Sequence, residues 1–357
     1  MRVLVAAGGT GGHVYPALAV LDELEARGAL SRAGWVGNPT GVEARVARQR
    51  PWIEFFPLHS RGIDRHRPWT WPAALVRAMG GLLRATTIVR RFRPHVVLGT
   101  GGHAAFAPLV AAWMHGVPLV VHEQNARMGL SNRLLSRIAD LVLLSFPTTH
   151  GVPRRVEARV TGNPVRKEVT VLPPHLGDEL LVVGGSLGSR RLVDAIVRAA
   201  PDLARSPRLR MRLIVGRAAP VEEVATALAQ AGIAVEVVRY VEPFADALSR
   251  ARLVVARAGA TTVAEVAAAG RPAVFVPWDG AAGRHQHDNA RAIAEGGGCL
   301  IATEGLAACN LGSLVHELWV DEERLRRMGA AARAFARPDA ARRVAEAIIA
   351  VGKGKRT

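Results

Sequence analysis

The residues best suited to chemistry are gathered at the ends of short apolar runs. G-G-T-G-G-H at 8–13 follows one such run directly and precedes a helix-like stretch. Glycines there let the backbone turn sharply and admit a ligand to main-chain N–H groups. A dinucleotide fingerprint needs G-x-G-x-x-G and an acid near the end of the second strand. Here Val14 takes the third glycine position and the second strand ends W-V-G-N, which argues against a nicotinamide or flavin cofactor. His13 closes the loop. An imidazole has the right pKa to take a proton from a hydroxyl near neutrality, but a histidine here could equally cap the helix or touch a phosphate without proton transfer.

A second glycine turn, G-T-G-G-H at 99–103, follows the apolar run Val96–Leu98. Gly101, Gly102 and His103 make either a diphosphate cradle or a tight strand-to-helix turn without a ligand. H-E-Q-N at 122–125 puts four hydrogen-bonding side chains at a strand end, poor material for a core and good material for ligand contacts. A metal on His122 and Glu123 is disfavoured because adjacent residues on a strand point apart. In the second half, A-R-A-G-A-T-T-V-A-E at 256–265 reads as strand, glycine turn and helix start. Thr261 and Thr262 are expected to cap that helix, whose free N–H groups suit a phosphate. Glu265 either accepts hydrogen bonds from two vicinal hydroxyls or serves only as a capping-box acid. R-H-Q-H-D-N at 284–289 adds a further polar cluster after a loop-like W-D-G-A-A-G.

The elements that must position these residues alternate strand and helix, the pattern of a parallel α/β protein. Expected strands are Arg2–Ala6, Val96–Leu98, Leu119–Val121, Leu141–Leu144, Leu180–Val183, Met211–Val215, Leu253–Ala256 and Ala273–Val276. Helical patterns cover Ala17–Ala26, Leu192–Ala200, Ala219–Ala231 and Val263–Ala269, and Pro338–Val351 reads as a closing helix. V-L-V-A-A-G-G-T-G-G-H at 3–13 and L-V-V-G-G-S-L-G-S-R at 181–190 form a weak internal repeat, each a strand opening into a glycine loop. Two Rossmann-like parallel-sheet domains facing one another across a cleft are therefore expected. They divide as 1–164 and 165–337, with the 338–357 helix returning to the first domain.

The composition is globular: 49% hydrophobic and 22% charged over 357 residues, enough for two cores. Cys299 and Cys309 lack metal-site spacing and fit a reducing cytosol. With the first strand expected from Arg2, no signal peptide is expected, and no apolar stretch long enough for a membrane span escapes interruption. The net charge of +17 rests almost wholly on arginine, with lysine only at 167, 353 and 355. Genome composition or a hot habitat could account for it. Nucleic acid is not expected, since no helix-turn-helix, RNA-recognition or zinc-finger pattern is present. The distribution favours anionic lipid and diphosphate partners: residues 55–95 carry eight arginines against one acid, Asp64.

Taken in order, these motifs resemble the MurG family, the N-acetylglucosaminyltransferases that complete lipid II. The resemblance runs nearly the whole chain, through G-G-T-G-G-H-V-Y-P-A-L-A-V, V-V-L-G-T-G-G, H-E-Q-N, T-G-N-P-V-R, V-V-G-G-S-L-G, A-T-T-V-A-E, A-A-A-G-R-P-A-V-F-V-P and H-Q-H-D-N-A. It implies a GT-B fold, an inverting transfer from UDP-GlcNAc to the 4-hydroxyl of an undecaprenyl-diphosphate-linked muramyl-pentapeptide, no cofactor and no obligatory metal. By the same resemblance Thr10, Gly11, Gly12, Asn125, Arg166, Ser186 and Gln286 contact the donor, and Val241 lies beside the uracil. Ala260, Thr261, Thr262, Val263, Ala264 and Glu265 hold diphosphate and ribose. His13 becomes the leading general base, with Glu123 in reserve. The chain departs from the family where the second glycine turn continues as G-G-H-A-A-F-A-P, with His103, Ala105 and Phe106 in place of Tyr and a Ser-Gly-Pro run. Other readings on the same scaffold are a UDP-GlcNAc epimerase, a transferase with a soluble acceptor, and a non-enzymatic binder of nucleotide sugar or lipid diphosphate.

The segment Trp69–Phe92 sets Leu75, Met79, Leu82 and Leu83 near one face, fringed by arginine, with Trp69, Trp71 and Trp113 nearby. Such a face suits the anionic cytoplasmic membrane surface and peripheral attachment there, or else ordinary helix packing.

Overall fold

A computed structural model of the chain describes residues 1–59, 71–185, 188–216, 219–280 and 284–354, without the side chains of 71–75, 306 and 308. Trp69 and Ser186 lie outside the described residues, and of Trp71 and Leu75 only the backbone is described. Two compact units are present, one of Met1–Pro164 with Asp339–Thr357, the other of Val165–Pro338.

The first unit runs β1 (Arg2–Ala7), α1 (Gly11–Ala26), β2 (Arg32–Gly37), α2 (Val42–Arg48), β3 (Ile53–Pro57), α3 (Trp71–Phe92), β4 (Val96–Gly101), α4 (Phe106–Met114), β5 (Leu119–Glu123), α5 (Leu130–Leu135), β6 (Leu141–Leu144) and β7 (Ala158–Val160). Its seven strands are parallel in the order β3-β2-β1-β4-β5-β6-β7. The central strands are apolar on both faces because helices cover both, as a parallel sheet requires. Leu4, Val97 and Val121 face one layer, Val5, Leu98 and Val120 the other.

The second unit runs α6 (Lys167–Thr170), β8 (Glu179–Val183), α7 (Arg190–Leu203), β9 (Arg210–Ile214), α8 (Val221–Gln230), β10 (Ala234–Val238), α9 (Phe244–Arg250), β11 (Ala251–Ala256), α10 (Ala260–Ala268), β12 (Ala273–Phe275), α11 (His285–Ala294), β13 (Cys299–Ile301), α12 (Glu304–Val320) and α13 (Glu322–Phe335). Its six strands are parallel in the order β10-β9-β8-β11-β12-β13. The last helix, α14 (Ala340–Gly352), packs its Val344 and Ile348 into the core that α1 also fills, so it belongs to the first unit.

In each sheet the strand order reverses at one point, between β1 and β4 and between β8 and β11. Loops leaving the two strands at such a point diverge to opposite faces and open a crevice at the carboxyl edge of the sheet. The glycine loops after β1, β4, β8 and β11 all stand at these edges.

Helix α3 divides its apolar residues between an exposed face and a core-facing one. Val76, Met79 and Leu83 are all 60–71% exposed at helical spacing, with Arg77 and Arg84 exposed beside them. Leu82 does not join them: it lies on the helix face that carries Ala85, Val89 and Phe92 and is half-buried against the core. One residue along a helix is a rotation of about 100°, enough to carry Leu82 from the outer face to the inner one. Trp113, on α4, is exposed. Among the described residues no helix is long and apolar enough to cross a membrane.

Candidate active site

Helix α1 begins at Gly11, six residues before the apolar pattern starts, so Gly11, Gly12 and His13 form its first turn and Thr10 its N-cap residue. His13 is held at its backbone on both sides: its N–H donates to the Thr10 carbonyl at 3.1 Å, and its own carbonyl accepts from Thr100 Oγ1 at 2.8 Å. The imidazole leans over the turn after β4. Gly101 and Gly102 have φ of 102° and 77°, and β-carbons there would stand 3.2 Å from His13 Cε1 and 3.5 Å from His13 Cδ2. A β-carbon on Gly102 would also fall 2.5 Å from the Gly8 carbonyl oxygen, so these glycines let the two loops close together beneath the ring.

His13 Nδ1 lies 2.9 Å from Gln124 Oε1. Behind it, Gln124 Nε2 lies 2.9 Å from His122 Nδ1 and donates to the His122 carbonyl at 3.0 Å, and His122 Nε2 lies 3.0 Å from the Gly162 carbonyl. His122 is fully buried, and burial pushes its pKa down to about 4, against a smaller opposing effect of the Gly162 carbonyl. Its folded-state pKa lies below the unfolded 6.5, so its contribution to stability is full above pH 6.5 and is lost as pH falls toward 4. Urea titrations across that window are expected to show about 3 kcal/mol of lost stability from this group. A His122→Asn chain is expected to lack that segment of the pH dependence.

Glu123 sits in a different environment. It is 1% exposed and both carboxylate oxygens are engaged: Oε1 accepts from Asn125 N and Nδ2 at 2.9 and 3.0 Å, Oε2 from Gly129 N and Asn132 Nδ2 at 3.0 and 2.9 Å. Four donors fill the lone-pair sites of a carboxylate. The geometry makes Glu123 the hub of the 125–132 segment and a poor reserve base. His103 is exposed at the rim of the same turn; burial of part of its ring lowers its pKa, the buried carboxylate of Glu43 opposes that, and His13 adds to it. Glu43 itself is fully buried, its Oε1 accepting from Asn38 N at 2.9 Å. No metal-binding group of three or more His, Cys, Asp or Glu occurs among the described residues.

In the second unit Arg166, just ahead of α6, donates through Nε to Glu265 Oε1 at 2.7 Å and lies over the Phe244 ring at 5.3 Å. Glu265, 3% exposed, is the sixth residue of α10, and the N-cap is Gly259 with no side-chain cap. Two expectations are thereby corrected. Thr261 and Thr262 are helical residues of the first turn, not caps, because the glycine already supplies the extended conformation an N-cap needs. Glu265 stands too deep in the helix for a capping box, which requires the third position. Ala260, Val263 and Ala264 share that helix start, with Ala260 and Val263 buried. Val241 is half-buried beside the core that holds Phe244. Gln286, in the first turn of α11, accepts from Trp278 N at 2.9 Å, and His287 Nε2 pairs with Asp279 Oδ1 at 2.7 Å, so two side chains of α11 fasten the start of the preceding loop.

Sequence reasoning gave no role to Arg257. It is 6% exposed and donates through Nε and Nη2 to Ser189 Oγ at 2.9 and 2.8 Å and through Nη1 to the Val276 carbonyl at 3.0 Å, with Glu304 at 2.7 Å. It therefore ties the loop after β8 to the loop after β11, the two that diverge at this sheet's reversal. An arginine two residues before a glycine turn was the available signal, but nothing in the sequence shows that its partners are Ser189 and Val276.

Residues 3–144 match the glycosyltransferase family 28 N-terminal domain and residues 179–344 the family 28 C-terminal domain. A UDP-N-acetylglucosamine–N-acetylmuramyl-(pentapeptide) pyrophosphoryl-undecaprenol N-acetylglucosamine transferase from Alkalilimnicola ehrlichii is 42% identical, with 97% of each chain covered. The crystal structure of Acinetobacter baumannii MurG superposes with a TM-score of 0.75 at 31% identity, covering 97% of this chain and 99% of that one. This chain belongs to the MurG family. The fold is accordingly GT-B, two Rossmann-like parallel-sheet units, and the activity is that of a glycosyltransferase. A putative UDP-N-acetylglucosamine 2-epimerase from Listeria monocytogenes reaches a TM-score of 0.74 at only 17% identity, a likeness of fold alone. MurG membership thus rests on sequence as well as shape, since shape is shared with another class of enzyme.

Proposed function

We propose that this chain transfers N-acetylglucosamine from UDP-GlcNAc to the 4-hydroxyl of a muramyl-pentapeptide carried on undecaprenyl diphosphate, the step of peptidoglycan synthesis that turns lipid I into lipid II. What carries the reading is a match along nearly the whole chain to enzymes named for this transfer. In the step, the acceptor oxygen attacks the anomeric carbon as its proton passes to His13. The bond to the UDP oxygen breaks with its electron pair, and the anomeric centre inverts. One displacement needs one base and no enzyme nucleophile, so no covalent intermediate forms. Glu265 takes the ribose hydroxyls and the start of α10 takes the diphosphate, whose growing negative charge helix N–H groups and the nearby Arg166 stabilise. Val241 lies beside the uracil, while Thr10, Gly11, Gly12, Asn125, Ser186 and Gln286 complete the donor contacts. Gly101, Gly102 and His103 face the acceptor diphosphate. Glu123 organises the segment that carries Asn125.

The reaction takes place at the cytoplasmic face of the membrane, with the chain held peripherally on anionic lipid. The exposed Val76, Met79 and Leu83 with their arginine fringe, Trp113 and the net charge of +17 support this. The test uses radiolabelled UDP-GlcNAc and the lipid-linked muramyl acceptor in anionic vesicles. Labelled lipid disaccharide is the expected product; free epimerised sugar, or binding without turnover, would overturn the reading. In the same assay a Met79→Glu/Leu83→Glu chain is expected to leave the vesicles in the supernatant fraction and to lose turnover on them, while keeping its rate on a short-chain, detergent-soluble acceptor. Undiminished vesicle binding by that variant removes α3 from the membrane surface.

A further inference from the structure

The hydrogen bonds behind His13 determine which of its ring nitrogens is free. Two backbone carbonyls, which can only accept, settle the whole chain of donors and acceptors. The Gly162 carbonyl lies 3.0 Å from His122 Nε2, so that nitrogen carries the proton. Burial keeps His122 neutral, its pKa pushed down to about 4, so its Nδ1 is a bare acceptor. The His122 carbonyl lies 3.0 Å from the Gln124 amide nitrogen, which fixes the orientation of that amide: its NH₂ faces His122 and reaches both the carbonyl and Nδ1. Gln124 Oε1 is then turned to His13 Nδ1 at 2.9 Å and can only accept from it. His13 must therefore carry its proton on Nδ1, leaving Nε2 with the lone pair. The two ring carbons on either side of Nε2 are those that lean on the Gly101–Gly102 turn.

We infer that Gln124 and His122 are positioning residues that lock His13 in the tautomer a general base needs, with the bare Nε2 presented to the acceptor hydroxyl. Both are 1% exposed, and neither need touch substrate to act. A buried glutamine does here what a carboxylate does in other histidine bases: it orients the ring and holds its far nitrogen protonated. Unlike a carboxylate it brings no charge, so it sets the tautomer through a single neutral acceptor. The inference rests on the reading of His13 as general base.

The test is made on the full chain with two substitutions at Gln124. Gln124→Leu removes the acceptor. It is expected to lower kcat by about 10- to 100-fold, to leave the KM for UDP-GlcNAc within about twofold, and to shift the His13 ¹⁵N resonances from the Nδ1–H pattern toward the Nε2–H pattern. Gln124→Glu restores an acceptor with a negative charge. Its second oxygen replaces the amide NH₂ that donates to the His122 carbonyl and faces His122 Nδ1, so it is expected to recover only part of kcat. It is also expected to move the acid limb of the pH–rate profile up by about one unit, because a carboxylate beside the ring favours its protonated, inactive form. An unchanged His13 tautomer in Gln124→Leu, or an acid limb that stays in place in Gln124→Glu, overturns the inference. Should Gln124→Leu fail to fold, the acid limb of Gln124→Glu decides alone. Failure of the underlying reading looks different: His13→Ala would then keep its turnover, whatever tautomer the wild-type resonances report.

Discussion

Replacing His13 by alanine is expected to lower turnover by roughly 10²- to 10⁴-fold, the usual worth of a general base, with nearly unchanged affinity for UDP-GlcNAc. The split follows from where the residue sits. His13 is tied to Thr10, Thr100 and Gln124, all in the first compact unit, whereas Arg166 and Glu265, proposed to face diphosphate and ribose, belong to the second. A group that matters only as the acceptor loses its proton lowers kcat and kcat/KM together and leaves ground-state binding alone. Single-turnover transfer of radiolabel, paired with a calorimetric titration of UDP-GlcNAc, checks both halves. Equal losses in rate and affinity would demote His13 to a binding residue.

The second large effect is expected at Glu265. Glu265→Ala should weaken UDP binding on the order of 10²-fold, since hydrogen bonds to a charged group contribute about 1.5–3 kcal/mol each and two vicinal hydroxyls are lost at once. Glu265→Gln keeps an acceptor without the charge and is expected to fall between. The ion pair adds a stability signature with a direction. Glu265 has a side chain only 4% exposed and Arg166 one that is 20% exposed, with the Phe244 face beneath it. Arg166→Ala strands a buried carboxylate, while Glu265→Ala leaves a guanidinium that still reaches water, so the arginine variant should melt lower. UDP titration calorimetry and thermal melts of the three chains test this. A Glu265→Ala chain that binds UDP as tightly as the wild type would remove the ribose from this residue.

The apolar runs that were readable as strands are the central ones, β1, β4, β5, β6, β8, β9, β11 and β12, apart from β2, which the sequence marked only by its W-V-G-N end. Buried on both faces, these strands need hydrophobic residues throughout, and most stand out in the sequence for that reason. The strands that escaped, β3, β7, β10 and β13, are those at the sheet edges, where partial solvation breaks the run, as the burial of β10 shows. The start of α1 was missed for another reason. Gly11 and Gly12 are weak helix formers, yet here they occupy the first helical turn directly after the loop that leaves β1, where tertiary context outweighs propensity.

At the site, residue types alone marked His13, the glycine turns, the H-E-Q-N cluster and Glu265, because polar and glycine residues at the ends of buried strands have few uses in a core. Order and spacing of these motifs along the chain were sufficient to indicate the MurG family. Which side chain answers which was decided only by folding. Arg166 meets Glu265 across 99 positions, Gln124 meets His13 across 111, and Arg257 meets Ser189 across 68. In a parallel sheet, neighbouring strands are joined by long crossovers, so partners at its carboxyl edge lie far apart in sequence. A hydrogen bond's direction, and with it the free nitrogen of His13, depends on carbonyls such as Gly162 that no side-chain pattern records.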